Sequence, residues 1–129
     1  MSIELKNRTK LFALRVLKLV EALPNSKSGK IVTNQIGRAG TSVGANYRAA
    51  CRGRSKAEFI AKLGIVEEEA DECIYWLELI GDGKILPPAT VAPLKREAEE
   101  ILAIMAASRI TASGYARKTN ARDQDRPTA

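Results

Sequence analysis

Apolar residues recur along this chain at alternating steps of three and four, in four stretches separated by clusters of Pro, Gly and Ser. That period belongs to helices with one buried face, so the pattern predicts an all-α chain. The first helix is expected at about 3–23, where Phe12, Val16, Leu19, Val20 and Leu23 form the stripe and Pro24 with Asn25-Ser26-Lys27-Ser28-Gly29 ends it. Leu11, Leu14 and Leu17 fall off the stripe, which leaves this helix apolar around more of its circumference than one buried face requires. Part of it is expected to face another subunit.

The second helix is expected at about 30–53, despite Gly37, Gly40 and Gly44, each of which costs about 1 kcal/mol against Ala in a helix interior. At about 100° per residue, Val32, Ile36, Ala39, Val43, Tyr47 and Ala50 share one arc and the glycines lie on the next, where they permit close approach of another helix. The opposite side carries Lys27, Lys30, Asn34, Arg38, Thr41, Arg48 and Arg52. These fill an arc of about 80°, a basic stripe about four turns long.

Ser55-Lys56-Ala57-Glu58 has the form of a capping box: the Ser hydroxyl accepts from the N–H three residues on, and Glu58 reaches back to the Ser55 N–H. The third helix, about 55–80, follows with Phe59, Leu63, Val66, Ala70, Cys73, Leu77 and Ile80, the seam of near-antiparallel bundle packing. Gly81-Asp82-Gly83 stops it. After Pro87-Pro88 the fourth helix, about 91–112, continues the rhythm through Leu94, Ala98, Ile101, Met105 and Ser108. Residues 114–129, with one aromatic and no aliphatic beyond Ala, are expected to be a disordered tail. The connections are short, so the prediction is one antiparallel up-down four-helix bundle over residues 1–113.

Composition sharpens this picture in two ways. At 129 residues, with 45% apolar but only 5% aromatic content, the core must be aliphatic and thin, and oligomerisation would supply burial that one chain lacks. The net charge of +6 conceals a division: residues 1–56 hold twelve Lys/Arg against two acids, residues 57–100 hold four against eleven, and the remainder five against two. A basic half and an acidic half suit either a polyanion partner or pairing of opposed faces between subunits of a ring. No apolar run approaches the roughly 18–20 residues needed to span a bilayer, so a soluble, cytoplasmic protein without a membrane partner is expected.

Candidate chemistry is sparse. Glu67, Glu68, Glu69, Asp71 and Glu72 invite a di-metal reading, but bundle sites of that kind use Glu-x-x-His pairs and the chain has no histidine. An acidic face in solvent or between subunits is the better reading, with Glu69 or Glu72 meeting an arginine such as Arg38 or Arg48. Cys51 and Cys73 suit reduced thiols inside helices better than a zinc site or a disulfide framework, with a helix-bridging disulfide as the alternative, and have no histidine to activate them. Tyr75 and Trp76 flank the third helix's seam, at the bundle edge or a subunit contact. No enzymatic activity, cofactor or metal is therefore expected. The basic stripe remains: Lys30, Arg38, Arg48, Arg52 and Arg54 are the candidate nucleic-acid residues, gripping RNA or DNA phosphates without reading bases. The alternative is that Arg38, Arg48 and Arg52 pair with acids of the third helix or of a neighbouring subunit.

The run from Gln35 to Leu79 also carries a resemblance. Gln35-Ile36, Arg38-Ala39, Ser42-Val43, Asn46, Arg54, Ser55-Lys56, Glu58-Phe59, Leu63 and Glu72 resemble the four helix bundle proteins read from intervening sequences in bacterial 23S rRNA genes, also called S23 ribosomal proteins. Many relatives have Asn-x-Ala-Glu-Gly where this chain has Asn46-Tyr47-Arg48-Ala49-Ala50, and Gly-Ser in place of Glu68-Glu69. The resemblance implies an up-down four-helix bundle and, from members that form pentameric barrels with basic surfaces, a ring-like homo-oligomer, a pentamer above other numbers. Similar proteins are accessory factors of the reverse transcriptases of diversity-generating retroelements. The function expected is thus a non-enzymatic, oligomeric bundle that binds RNA or DNA. The alternative is a protein-interaction scaffold, or an accessory subunit of a nucleic-acid enzyme such as a reverse transcriptase, without direct nucleic-acid binding.

Overall fold

The computed structural model describes the backbone of residues 2–124 and the side chains of residues 3–114. Within these the chain forms four α-helices: α1 (Ser2–Ala22), α2 (Lys27–Cys51), α3 (Lys56–Asp82) and α4 (Pro88–Gln124). Each buries the stripe that its periodicity selects. Phe12, Val16 and Leu19 of α1 meet Val32, Ile36, Ala39, Val43, Tyr47 and Ala50 of α2. Leu63, Val66, Ala70, Cys73, Leu77 and Ile80 of α3, with Val91, Leu94, Ala98, Ile101 and Met105 of α4, complete one core. Thr9 is the one buried polar side chain among the described residues, and its hydroxyl donates to the Leu5 carbonyl at 2.8 Å.

Cross-helix contacts fix the directions. Gly37, Gly40 and Gly44 of α2 face Val20, Val16 and Thr9 of α1, a descending order that makes the two antiparallel. Lys95 and Arg109 of α4 reach Glu78 and Glu67 of α3, again in reverse order. α3 packs extensively against α2 and α4, and α1 lies on α2, whereas α1 and α4 meet only lightly.

The glycines separate by role. A Cβ on Gly40 would stand 2.7 Å from both Val16 methyls, and one on Gly44 would lie 3.3–3.4 Å from Thr9 atoms, so these two set the close approach of α1. One on Gly37 would make an ordinary 3.9 Å contact with Val20. The close-contact role therefore belongs to two of the three.

Helix ends depart from expectation in four places. α2 starts earlier, at Lys27, because the Ser26 hydroxyl accepts from the Gly29 N–H at 3.0 Å and caps it, and it closes at Cys51, two residues short. At α3 the Ser55 hydroxyl accepts from the Glu58 N–H as expected, but the Glu58 carboxylate accepts from the Arg54 N–H at 3.0 Å instead of that of Ser55. The amide within reach belongs to the bend just before the cap. α3 ends in a Schellman turn, Ile85 N–H to Ile80 carbonyl and Lys84 N–H to Gly81 carbonyl, with Lys84 rather than a glycine at positive φ (55°). Finally, α4 begins at Pro88 and stays helical through Gln124, across most of the expected tail. Ala, Arg, Lys and Gln there are all good helix formers. The last part of that tail, 125–129, lies outside the described residues.

Candidate nucleic-acid interface

Three of the four seams between neighbouring helices are stitched by ion pairs. Across α2/α3, the Arg38 guanidinium donates to Glu69 at 3.1 Å and to Glu72, whose carboxylate also accepts from the Trp76 indole at 3.3 Å. Across α1/α4, Arg8 donates to Glu97 at 2.6 and 3.0 Å and to Glu100. Across α3/α4, Arg109 pairs with Glu67, and Lys95 lies 3.4 Å from Glu78. Most acids of the chain's middle are thus accounted for inside the bundle.

The α1/α2 seam is different. Gly40 and Gly44 draw α1 close, which brings Lys6 and Lys10 of one rim beside Arg48 and Arg52 of the other. None of these four cations belongs to an ion pair among the described residues. Two shallow grooves run between the rims. One, of about 210 Å³, is lined by Lys6, Lys10, Thr41, Gly44, Ala45 and Arg48; the other, of about 270 Å³, by Lys6, Arg48 and Arg52. They share Lys6 and Arg48 and so form one track. Along each rim the cations are four residues apart, about one helical turn or 6 Å, with Arg52 at the C-cap of α2. Four like charges with no carboxylate between them repel one another and concentrate positive potential, the condition in which anionic oxygens bind.

The five candidate residues do not lie together. Arg48 and Arg52 lie on the track. Arg38 is engaged by Glu69 and Glu72, so its charge serves the α2/α3 seam. Lys30 stands eighteen residues before Arg48, about 27 Å along the helix axis, beside Pro24 and Asn34. Arg54 is exposed in the bend after α2, and its backbone N–H is held by Glu58. Lys6 and Lys10 are the additions. Their four-residue spacing is visible in the sequence, but their membership depends on the register in which α1 meets α2.

Other chemistry is muted. Burial, assisted by Glu69 and Glu72, pushes the Cys73 thiol up to about 12 against the weaker pull of Arg38, so it stays protonated. Burial likewise raises the Tyr47 hydroxyl. Cys51 is a free, half-buried thiol. Among the described residues no three His, Cys, Asp or Glu side chains come together as a metal site, and no helix is long and apolar enough to cross a membrane. Tyr75 is exposed on the outer side of α3, where it meets Trp76 edge to face.

The ion pairs carry a pH dependence. The Arg38 hydrogen bond holds Glu72 below its ordinary 4.5, and the Arg8 hydrogen bond does the same for Glu97, each against an opposing effect of burial. A carboxylate depressed in the folded state contributes stability that is complete above its unfolded value and is lost as pH falls through the folded one. We expect thermal stability to decline below about pH 4.5, and the Arg38→Gln and Arg8→Gln variants to show a flatter decline. Melting temperatures between pH 3 and 7 check this; parallel curves for variants and parent would refute the assignment.

Comparison with known proteins agrees with this architecture. A family model described as 23S rRNA-intervening sequence protein matches residues 1–107. A crystal structure of a protein of unknown function from the S23 ribosomal protein family of Bacteroides thetaiotaomicron superposes with a TM-score of 0.77 at 33% sequence identity, over 81% of this chain and 97% of that one. No curated protein matches the chain. With four antiparallel helices in the same arrangement and a family match over most of its length, the chain belongs to the 23S rRNA-intervening sequence protein family.

Proposed function

We propose that this protein is a non-enzymatic nucleic-acid-binding bundle that holds backbone phosphates along the α1/α2 seam, with Lys6, Lys10, Arg48 and Arg52 as the gripping residues. One observation carries the reading: of the four seams, this is the one that no ion pair crosses among the described residues, and its grooves at Lys6, Lys10, Arg48 and Arg52 have cations on both rims and no acid in their lining. The name of the family, which refers to rRNA, and that of the S23 relative point in the same direction. Binding of this kind is sequence-independent and strongly dependent on salt. Lys30 and Arg54 then act as outlying contacts, and the protein works in the cytoplasm.

Four neutralised phosphates give log K against log salt a slope of about −3 to −4. The expected result is a slope in that range for the parent and a loss of about half of it in Arg48→Glu/Arg52→Glu, whose helices remain folded by circular dichroism. An unchanged slope in the folded variant would refute the seam as the site.

A second reading has its own support. Leu11, Leu14 and Leu17 on the outer side of α1 are about half exposed, among lysines; Ile65, Tyr75 and Leu79 on the outer side of α3 are exposed beside Glu68. These faces are complementary, and head-to-tail pairing between copies would build a ring, in which the bundle serves as a scaffold for a nucleic-acid enzyme. Light scattering of nuclease-treated protein distinguishes the two: an oligomer that dissociates in high salt and ignores nucleic acid favours the scaffold.

A further inference from the structure

Resting on the reading that the α1/α2 seam takes nucleic-acid phosphates, we infer that Thr41 is a specificity-determining residue that makes the seam prefer RNA to DNA. The Thr41 side chain lines the same groove as Lys6, Lys10 and Arg48. Its single hydroxyl proton is committed within α2: the hydroxyl donates to the Gly37 carbonyl at 2.7 Å, with the Arg38 carbonyl 3.2 Å away as a weaker second acceptor. Toward a ligand the oxygen therefore offers lone pairs and no proton.

The lysines and arginine beside it are the reverse, donors without lone pairs. The remaining side chains of the groove, at Ala13, Gly44 and Ala45, carry no polar atom. A phosphodiester satisfies the cations but has no proton to give Thr41. A ligand that satisfies both carries anionic oxygens with a hydroxyl donor close by, and the 2′-hydroxyl of ribose stands in that relation to its phosphate. Deoxyribose lacks it. Because the groove is open to solvent, the gain is that of one ordinary net hydrogen bond, and we expect RNA to bind about five-fold tighter than DNA of the same sequence.

The test is fluorescence anisotropy of the full chain with matched RNA and DNA oligonucleotides at one low salt concentration. Thr41→Val keeps the β-branched shape and removes the acceptor. It should reduce RNA affinity to that of DNA while leaving DNA affinity and the salt slope unchanged, and Thr41→Ser should retain the preference. Equal affinities in the parent, or a preference that survives in Thr41→Val, would overturn the inference and leave the seam reading standing. Binding of neither polymer would overturn both. A competition arm with 5′-AMP, which carries the same phosphate and ribose hydroxyls, guards the identity of the ligand. Displacement of RNA by AMP at equal concentration would make this a mononucleotide site and overturn the RNA assignment.

Discussion

Replacing Gly29 with alanine is expected to destabilise the protein by about 3 kcal/mol or more, although the change adds a single methyl group to a good helix position. Gly29 is buried in the first turn of α2, and a Cβ there would stand 1.9 Å from the Pro24 carbonyl oxygen and 3.0 Å from the Ser26 hydroxyl. Both neighbours are part of the α1–α2 connection, and the oxygen belongs to the backbone, so no side chain can swing aside. The connection must open, and the Ser26 cap on the Gly29 N–H is strained with it. Gly64→Ala is the control. Nothing lies within 4 Å of a Cβ at Gly64, in the middle of α3, so that variant should gain about 0.5–1 kcal/mol from propensity alone. Urea denaturation of both variants checks the pair; similar shifts of the same sign would contradict the packing described at Gly29.

Phe12→Ala should have an effect of comparable size and a functional echo. Phe12 is the one aromatic ring of α1, is 1% exposed, and belongs to the core shared with α2. Loss of a buried ring costs about 3–5 kcal/mol, a large share of the 5–15 kcal/mol typical of a domain. The loss falls on a helix with little other anchorage, since the α1/α4 seam is light and depends on Arg8 with its two glutamates. With α1 displaced, Lys6 and Lys10 leave the track while Arg48 stays on α2 and Arg52 at its C-cap. The salt slope of nucleic-acid binding should therefore fall by about half, though no charge has changed. A stable Phe12→Ala protein with the parent's slope would refute the role assigned to the α1 rim.

The core was legible in the sequence because a buried stripe repeats with the helix period: every member of the α2 stripe is buried, and all of the α3 stripe except the half-buried Phe59. The candidate site was only partly legible. The period identifies which residues of α2 face outward, but not which helix stands beside each of them. Arg38 and Arg48 share one arc, yet Arg38 looks toward α3 and its acids while Arg48 looks toward α1 and its lysines. Ten residues apart, they stand about 80° from each other around the helix, at opposite edges of that arc, and Gly40 against Val16 sets how closely α1 approaches the Arg48 edge. Thr9 was missed for a related reason: a polar residue on an apolar stripe is hidden by its back-bond to the Leu5 carbonyl. The positive-φ lysine at position 84 had no local signal, since two glycines nearby offered more favourable places for the turn.

The light contact between α1 and α4 also bears on the order in which the molecule opens. A helix fastened mainly along one side is expected to behave as its own cooperative unit, opening in amide exchange at lower free energy than the body formed by the other three. One rim of the basic track is carried by that unit and the other by the body. If a polyanion lies across the track as proposed, it would rivet the loosest unit to the rest, and occupancy and completion of the native bundle would become a single linked equilibrium.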